Sequence, residues 1–539
     1  MLLGFVILAL VSFSPGPGLR AETALSLENK VGQLLMISID AAEAAKAAEP
    51  AALGLGGIQL QWGSYSLEDT LRLTEELQRN ALAGAARTPL FIAVDYEGGS
   101  VYVPTTLGLA ELPTNMMLGA ADDENNTASL FYLAGRELRR AGINMVFGPV
   151  LDVNTNPHNP IIGVRAIGGT PELVSKIGAA IINGFRAGGI LPAAKHFPGH
   201  GAAGTDSHKL LPVITLSQPT LEKDHLSPFK KAIELKVPLI MTAHILYPAL
   251  DQKNPATLSK PVIVDLLKKK LGFGGLVITD SLDMSAITSK HPVHKAAALA
   301  LKAGADLILL GKGDFLKARN EILRQVKAGL ITETRVNDAY YRVYEAKRAA
   351  GLFETQAYPA PFDKAYVNIA EALSRAAVTL VGDRDRLIPL KDKTAKTAVI
   401  IFAPPRFNGN ALSLYKVLTE NGYSAEQSVF GIDPAEKDIA RASAIAAKAD
   451  RLVIGSFQWA RAQNRNQKKA IKALLALGKP SVLISLMSPY DLSNYPEAGT
   501  AMAVYGMTAP GMAAAGEVLT GNTNPRGKLP VKLELEGRP

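Results

Sequence analysis

The chain of 539 residues is 47% apolar and 20% charged, with 47 Gly and 33 Pro spread along it; this excludes fibrous and disordered classes and, at about 150 residues per domain, argues against a single domain. Lys and Arg number 58 against 49 Asp and Glu, a net charge of +9, but the basic residues are scattered. The densest run, Lys268-Lys269-Lys270, suits the carboxyl end of a helix, so a nucleic-acid surface is not indicated. The absence of cysteine excludes disulfides and thiolate metal sites.

Residues 2–13 form an almost unbroken apolar run, followed by Ser14-Pro15-Gly16-Pro17-Gly18 and then Leu19-Arg20-Ala21. The run is short for a membrane span and has the pattern of a secretory signal over 1–21, although no Lys or Arg precedes it. Export to the periplasm or the extracellular space is expected, with no stable membrane span after signal removal.

Strand-like apolar runs follow at 31–39, 57–62, 90–95, 143–150, 191–196, 239–244, 275–280 and 306–310. Helical periodicity lies between them at 67–83, 127–141, 171–187, 218–235, 260–271 and 293–303, and again at 337–350. This alternation predicts a (β/α)₈ TIM-type barrel over 24–350. The competing architecture, a doubly wound open sheet, places ligands only near its switch point. Here Asp95, Asp152, Lys195, His196, His244 and Asp280 all fall at or just beyond strand ends, as a barrel's carboxyl face requires.

Gly and Pro punctuate 351–366 as a linker, and a smaller α/β sandwich domain is expected over 367–539. Its apolar runs lie at 398–402, 451–456, 481–486 and 501–505, with helical stretches at 434–449 and 466–477. The stretch 521–529 has the look of a phosphate loop but carries one spacer residue too many and Leu529 where Ser or Thr would bind magnesium, so it reads as a turn. No G-x-G-x-x-G joins a strand to a helix. No cofactor and no metal is expected.

The densest chemistry is Lys195-His196-Phe197-Pro198-Gly199-His200-Gly201, followed by Asp206-Ser207-His208. Pro198 and the glycines break any helix, so His196 and His200 cannot share a helical face as in a zinc H-E-x-x-H site. In an extended loop Asp206 and His208, two apart, point the same way. A carboxylate beside an imidazole fixes its tautomer and favours the protonated form, which makes a proton donor near neutral pH. A loop histidine satisfied locally is the alternative. Asp280 ends the apolar strand Gly275-Leu276-Val277-Ile278-Thr279, where a carboxylate projects into a barrel mouth. It could instead cap the following helix, although Asp283 is better placed for that role.

These two segments, with Val94-Asp95-Tyr96-Glu97-Gly98-Gly99, Phe147-Gly148-Pro149-Val150-Leu151-Asp152-Val153, Ile162-Gly163-Val164-Arg165 and Met241-Thr242-Ala243-His244, resemble the bacterial β-N-acetylglucosaminidases of glycoside hydrolase family 3. Asn524-Pro525-Arg526-Gly527-Lys528-Leu529-Pro530 resembles that family's second domain. The resemblance implies a retaining mechanism with Asp280 as nucleophile and His208, held by Asp206, as acid/base. It also implies that Asp95, Arg165, Lys195 and His196 hold the sugar, while His244 lines the pocket. Such residues suit the task, because a carboxylate accepts from paired hydroxyls and Lys or Arg donates to sugar oxygens; plain salt bridging is the other explanation for each.

The sequence departs from the family pattern at Ser100, where Arg is usual, at Val101-Tyr102-Val103-Pro104, and at Ala166-Ile167-Gly168. The expected activity is exo-release of terminal N-acetylglucosamine from peptidoglycan fragments or related β-glycosides. Competing readings are a β-glucosidase or β-xylosidase of the same family, phosphorolysis instead of hydrolysis, a metal-dependent amidohydrolase built on His196, His200, Asp206 and His208, and a glycan-binding protein without turnover.

Overall fold

The computed structural model describes residues 25–40, 45–61, 66–99, 111–354, 365–459 and 464–534. The expected signal segment 1–21, Ser100 and Val101–Pro104, and most of the expected linker lie outside these residues.

Eight strands, β1 (Leu35–Ile39), β2 (Gly57–Leu60), β3 (Phe91–Val94), β4 (Met145–Val146), β5 (Leu191–Phe197), β6 (Leu239–Thr242), β7 (Leu276–Thr279) and β8 (Ile308–Leu309), pair in parallel in chain order, with β8 beside β1. The cylinder closes between β7 and β8 through a bridge from Ile278 to Leu307 and the Thr279 amide on the Leu307 carbonyl at 3.1 Å. Apart from Leu191, every strand residue is buried. That is why these strands read as continuous apolar runs rather than alternating ones: parallel strands are covered on both faces. Asp306 secures the seam, its buried carboxylate taking Lys268 Nζ at 2.8 Å, Arg335 Nη2 at 2.9 Å and the Val277 amide at 3.0 Å.

The outer helices start where side chains can cap them. Ser66, Asp123, Thr170, Asp314 and Thr332 each accept an amide from the first turn of the helix they precede, an interaction worth about 1 kcal/mol apiece. Sequence and structure differ at several ends. Residues 27–33 are helical, capped by Ser26, so the first strand begins at Leu35 rather than at Val31. The fourth strand is two residues long; beyond it the Phe147 amide still bonds the Val94 carbonyl at 2.9 Å, and after Pro149, which has no amide to give, a single bridge joins Val150 to Lys195. The expected helix 218–235 is three consecutive pieces, Gln218–Thr220, Leu221–His225 and Ser227–Glu234, divided ahead of Pro228.

The second domain is a six-stranded sheet, β9 (Thr379–Asp383), β10 (Thr397–Phe402), β11 (Ala425–Phe430), β12 (Arg451–Ser456), β13 (Ser481–Ser485) and β14 (Thr500–Ala503), in the order β11-β10-β12-β13-β14-β9. All pairs are parallel except β9 with β14, so an antiparallel edge joins the expected parallel sheet. The helix Ala365–Ala377 bridges the domains. Tyr366, Ala370 and Leu373 belong to the barrel's core, and the Tyr366 hydroxyl lies 2.5 Å from that of Tyr96, just past β3. In return Met116, Met117, Ala120 and Val164 sit in the second domain's core. No helix among the described residues is long and apolar enough to cross a membrane.

Candidate active site

The carboxyl ends of the barrel strands carry three linked groups of polar side chains. In the first, the segment leaving β3 places Asp95 and Glu97 on one side, as residues two apart in extended chain must be. Lys195, on β5, reaches both, with Nζ 2.7 Å from Asp95 Oδ1 and 2.6 Å from Glu97 Oε1. Arg165 forks onto Glu97, Nε to Oε2 at 2.7 Å and Nη2 to Oε1 at 2.9 Å. Gln59 of β2 donates to Asp95 Oδ2 at 2.7 Å and itself accepts from Ser38 of β1. Glu97 is 1% exposed and Asp95 23%, so Asp95 is the carboxylate within reach of a ligand and Glu97 the one behind it. Burial alone would raise the Glu97 carboxyl; Arg165 and then Lys195 outweigh it and hold it well below the usual carboxylate range. Lys195, which burial alone would push down, is raised by Asp95 and Glu97.

Asp152, fully buried beyond β4, organises the second group. Its carboxylate accepts the His196 amide at 3.2 Å, His196 Nδ1 at 2.7 Å and the His200 amide at 2.6 Å. Burial would raise Asp152, but His196 and His200 turn the balance and lower it. The bond to Asp152 makes Nδ1 the protonated nitrogen of His196 and leaves Nε2 for other partners. Burial pushes His200 down to about 4, so its ring is neutral; its Nε2 lies 3.3 Å from Ser207 Oγ.

The third group is carried on two segments, the loop after β5 and the turn after β7. Asp206 Oδ1 accepts both the amide and Nδ1 of His208, each at 2.9 Å. Burial would raise Asp206, and the two His208 bonds more than offset that. The His208 side chain is 47% exposed, and with Nδ1 committed to Asp206 its Nε2 is the atom available to a ligand. The loop is pinned from below: Asn159 Nδ2 donates to the His200 and Gly201 carbonyls at 3.0 and 3.2 Å, and Asn156 Nδ2 to Ala203 at 3.0 Å. Gly201 passes so close to the chain beyond β4 that a Cβ there would lie 1.8 Å from the Val153 carbonyl oxygen. Gly201→Ala is therefore expected to lift the loop and lower turnover by about 10²-fold, with circular dichroism unchanged; unaltered kinetics would show that the loop's height does not matter.

Asp280 follows β7. Its Oδ1 accepts the Ser281 amide at 2.8 Å and its own amide reaches the Thr242 carbonyl at 3.3 Å. Burial would raise this carboxyl; His244, His196, the Ser281 amide and Lys195 together lower it, so it is an anion at neutral pH. It caps no helix: the next one, Ser285–Thr288, has Met284 at its cap. Asp283 is not a cap either. It accepts from Ser281 Oγ at 2.7 Å and from the Lys312 amide at 2.9 Å, tying the Asp280 turn to the segment beyond β8. The Ala286 amide, six residues past Asp280, donates to the Ser207 carbonyl at 3.3 Å, which joins the Asp280 segment to the Asp206/His208 loop.

The structure thus gathers Asp95, Lys195 and Arg165 into one ion-pair network, His196 into the Asp152 group, and Asp206, His208 and Asp280 onto two joined segments. Sequence reasoning passed over Glu97 and Gln59 as site residues and gave Asp152 no role; the two-residue spacing from Asp95 was the signal for Glu97. Ala166 and Ile167 are fully buried, and Gly169 N donates to the Pro530 carbonyl at 2.9 Å. The departure after Arg165 is therefore covered by the second domain's last segment. Among the described residues no three His, Asp or Glu side chains converge as metal ligands would, and His196, His200, Asp206 and His208 are engaged in separate hydrogen-bond pairs.

A sequence model of the glycosyl hydrolase family 3 N-terminal domain matches residues 26–346, and one of the family 3 C-terminal domain matches residues 319–536. The chain is 30% identical over 523 residues to the β-hexosaminidase A of Pseudoalteromonas piscicida, covering 86% of each chain. It is 26% identical over 492 residues to a protein of Cellulomonas fimi described as a β-N-acetylglucosaminidase/β-glucosidase, covering 84% of each. Among solved structures, the family 3 β-N-acetylglucosaminidase of Paenibacillus sp. str. FPU-7 superposes with a TM-score of 0.88 at 33% identity, covering 95% of this chain and 100% of that one. With both domain models matched in order, and carboxylates and imidazoles gathered on the carboxyl face of the barrel, the chain belongs to glycoside hydrolase family 3.

Proposed function

We propose that the protein is a retaining exo-β-N-acetylglucosaminidase with Asp280 as nucleophile and the Asp206/His208 pair as acid/base. The observation that carries this reading is the joining of the two segments through Ser207 and Ala286, with the Asp206–His208 bond on one and the anionic Asp280 on the other. The substrate class is that of the relatives, two of which are described as β-N-acetylglucosaminidases.

In the first half-reaction Asp280 attacks the anomeric carbon while His208 Nε2 gives its proton to the departing oxygen, breaking the C1–O bond and forming a glycosyl ester. In the second, the now neutral Nε2 takes a proton from water, whose oxygen attacks C1 and releases Asp280, and His208 is again protonated. Asp206 holds Nδ1 throughout, so proton traffic is confined to Nε2. Asp95, with Lys195, meets sugar hydroxyls; Arg165 and His196 complete the cradle. Terminal N-acetylglucosamine on peptidoglycan fragments is the proposed substrate, met outside the cytoplasm if the segment 1–21 acts as a signal.

His208→Ala is expected to lower hydrolysis of a chitobiose-type or muropeptide substrate by about 10³-fold, and first-step release from a dinitrophenyl glycoside, whose leaving group needs no proton, far less. Equal losses on both substrates would remove His208 from the acid role. The Cellulomonas fimi relative's double description favours glucosides as a second reading, and matched aryl glucoside and aryl N-acetylglucosaminide rates separate the two. Added phosphate yielding a sugar 1-phosphate would change hydrolysis to phosphorolysis, and loss of activity in EDTA would favour the amidohydrolase alternative.

A further inference from the structure

Ser281, the residue after the nucleophile, has all three of its polar atoms engaged. Its amide holds Asp280 Oδ1 at 2.8 Å, its hydroxyl donates to Asp283 at 2.7 Å, and its carbonyl oxygen lies 2.9 Å from His244 Nε2. A carbonyl only accepts, so His244 Nε2 carries a proton. The other ring nitrogen lies 2.7 Å from Thr257 Oγ1, which also meets the Ala243 carbonyl at 3.0 Å and accepts from Thr242 Oγ1 at 3.0 Å.

Thr257 has a single hydroxyl proton. If it goes to Nδ1, His244 is neutral; if it goes to the Ala243 carbonyl, His244 can be an imidazolium donating from both nitrogens. In either state the Nε2–H bond to Ser281 survives. His244 is 1% exposed, so no water competes for it. The charged and titratable groups around it are Asp280 and Asp283 beyond β7 and His196 on β5.

We propose that His244 is a positioning residue for the nucleophile: its grip on the Ser281 carbonyl keeps the Ser281 amide on Asp280 Oδ1 and so fixes which carboxylate oxygen is turned to the anomeric carbon. The inference rests on the reading of Asp280 as nucleophile. It assigns His244 a task beyond lining the pocket, and it explains why a buried imidazole stands at the end of β6 without touching Asp280 through a hydrogen bond of its own.

Three variants, His244→Leu, His244→Gln and His244→Asn, test it on 4-nitrophenyl N-acetyl-β-glucosaminide, with Asp280→Ala alongside. His244→Leu is expected to lower kcat about 10²-fold with KM within about twofold. It should also move the acid limb of kcat/KM to higher pH, since Asp280 loses a fixed donor and a neighbouring imidazole. His244→Gln, whose amide reaches the Ser281 carbonyl, should recover about tenfold of the loss, and His244→Asn, too short to reach, should not. Wild-type kcat in the Leu variant, or equal loss in Gln and Asn with an unmoved acid limb, overturns the proposal. If the Leu variant does not fold, the Gln and Asn pair carries the same comparison. Activity surviving in Asp280→Ala sinks the nucleophile assignment itself, whereas its loss there with unaffected His244 variants sinks only the positioning role.

Discussion

Asp280→Ala is expected to abolish turnover of aryl N-acetylglucosaminides, with kcat falling on the order of 10⁴-fold or more, while the melting temperature stays within a degree or two of the parent. The two halves of this expectation have separate origins. Chemically, without the carboxylate there is no ester intermediate, and the barrier rises by more than about 5 kcal/mol. Structurally, the side chain's hydrogen bond among the described residues is to the Ser281 amide alone, its backbone bond to Thr242 survives substitution, and the nearby Lys195 keeps Asp95 and Glu97 as partners. No buried cation is stranded. The alanine leaves space where a small anion can act, so azide should restore part of the activity on a dinitrophenyl glycoside and yield the α-glycosyl azide by a single displacement. Near-normal turnover, or a β-azide product, would falsify the assignment of Asp280.

The acid limb follows from the same carboxylate. Because His244, His196, the Ser281 amide and Lys195 lower Asp280 against the pull of burial, the carboxylate stays ionised down to a pH below the ordinary range for an aspartate. The fall of kcat/KM in acid is therefore expected below that range, which a pH series on the parent enzyme reads directly.

The barrel was legible because its strands are covered on both faces and leave uninterrupted apolar runs, several of them, such as those before Asp95 and Asp280, ended by a polar residue where the chain emerges at the mouth. Where that logic weakens, so does the sequence reading. Val31 and Gln33 are buried neighbours of a strand, yet they belong to a helix whose start Ser26 caps, a local bond that outweighs the appearance of a longer strand. The outer strand β11 is half-exposed, with the mixed polar sequence Ala425-Glu426-Gln427-Ser428, and carried no apolar run to find. In the site, Asp206 and His208 could be paired from sequence because they are two residues apart in one loop. The Glu97–Arg165 pair spans 68 positions, and Asp152 meets His196 and His200 from another strand; such contacts exist only once the barrel closes.

Glu97→Ala carries the second large effect, this time on stability as well as binding. Glu97 lies between two buried cations, Arg165 at 6% and Lys195 at 3% exposure. Its removal leaves Asp95 as the carboxylate bonded to Lys195 among the described residues and takes from Arg165 its forked carboxylate partner, although the Ile161 carbonyl still accepts from Arg165 Nη1 at 3.3 Å. Breaking a buried pair in this way costs about 3–5 kcal/mol, so a fall in melting temperature of several degrees is expected at neutral pH. The sign of the pH dependence follows. A carboxyl depressed in the folded state contributes its full stabilisation above its unfolded value, about 4.3, and loses it progressively as pH falls from there toward the folded value. The gap in unfolding free energy between parent and Glu97→Ala should therefore be constant above about pH 5 and narrow below it. Binding follows the same charges: with Glu97 gone Lys195 is drawn wholly to Asp95, the carboxylate proposed to meet the sugar, so KM for the aryl glycoside should rise more than kcat falls. A variant as stable as the parent at pH 7, with a gap that does not change in acid, would mean that Arg165 and Lys195 are solvated some other way and that the network is not what holds the cradle rigid.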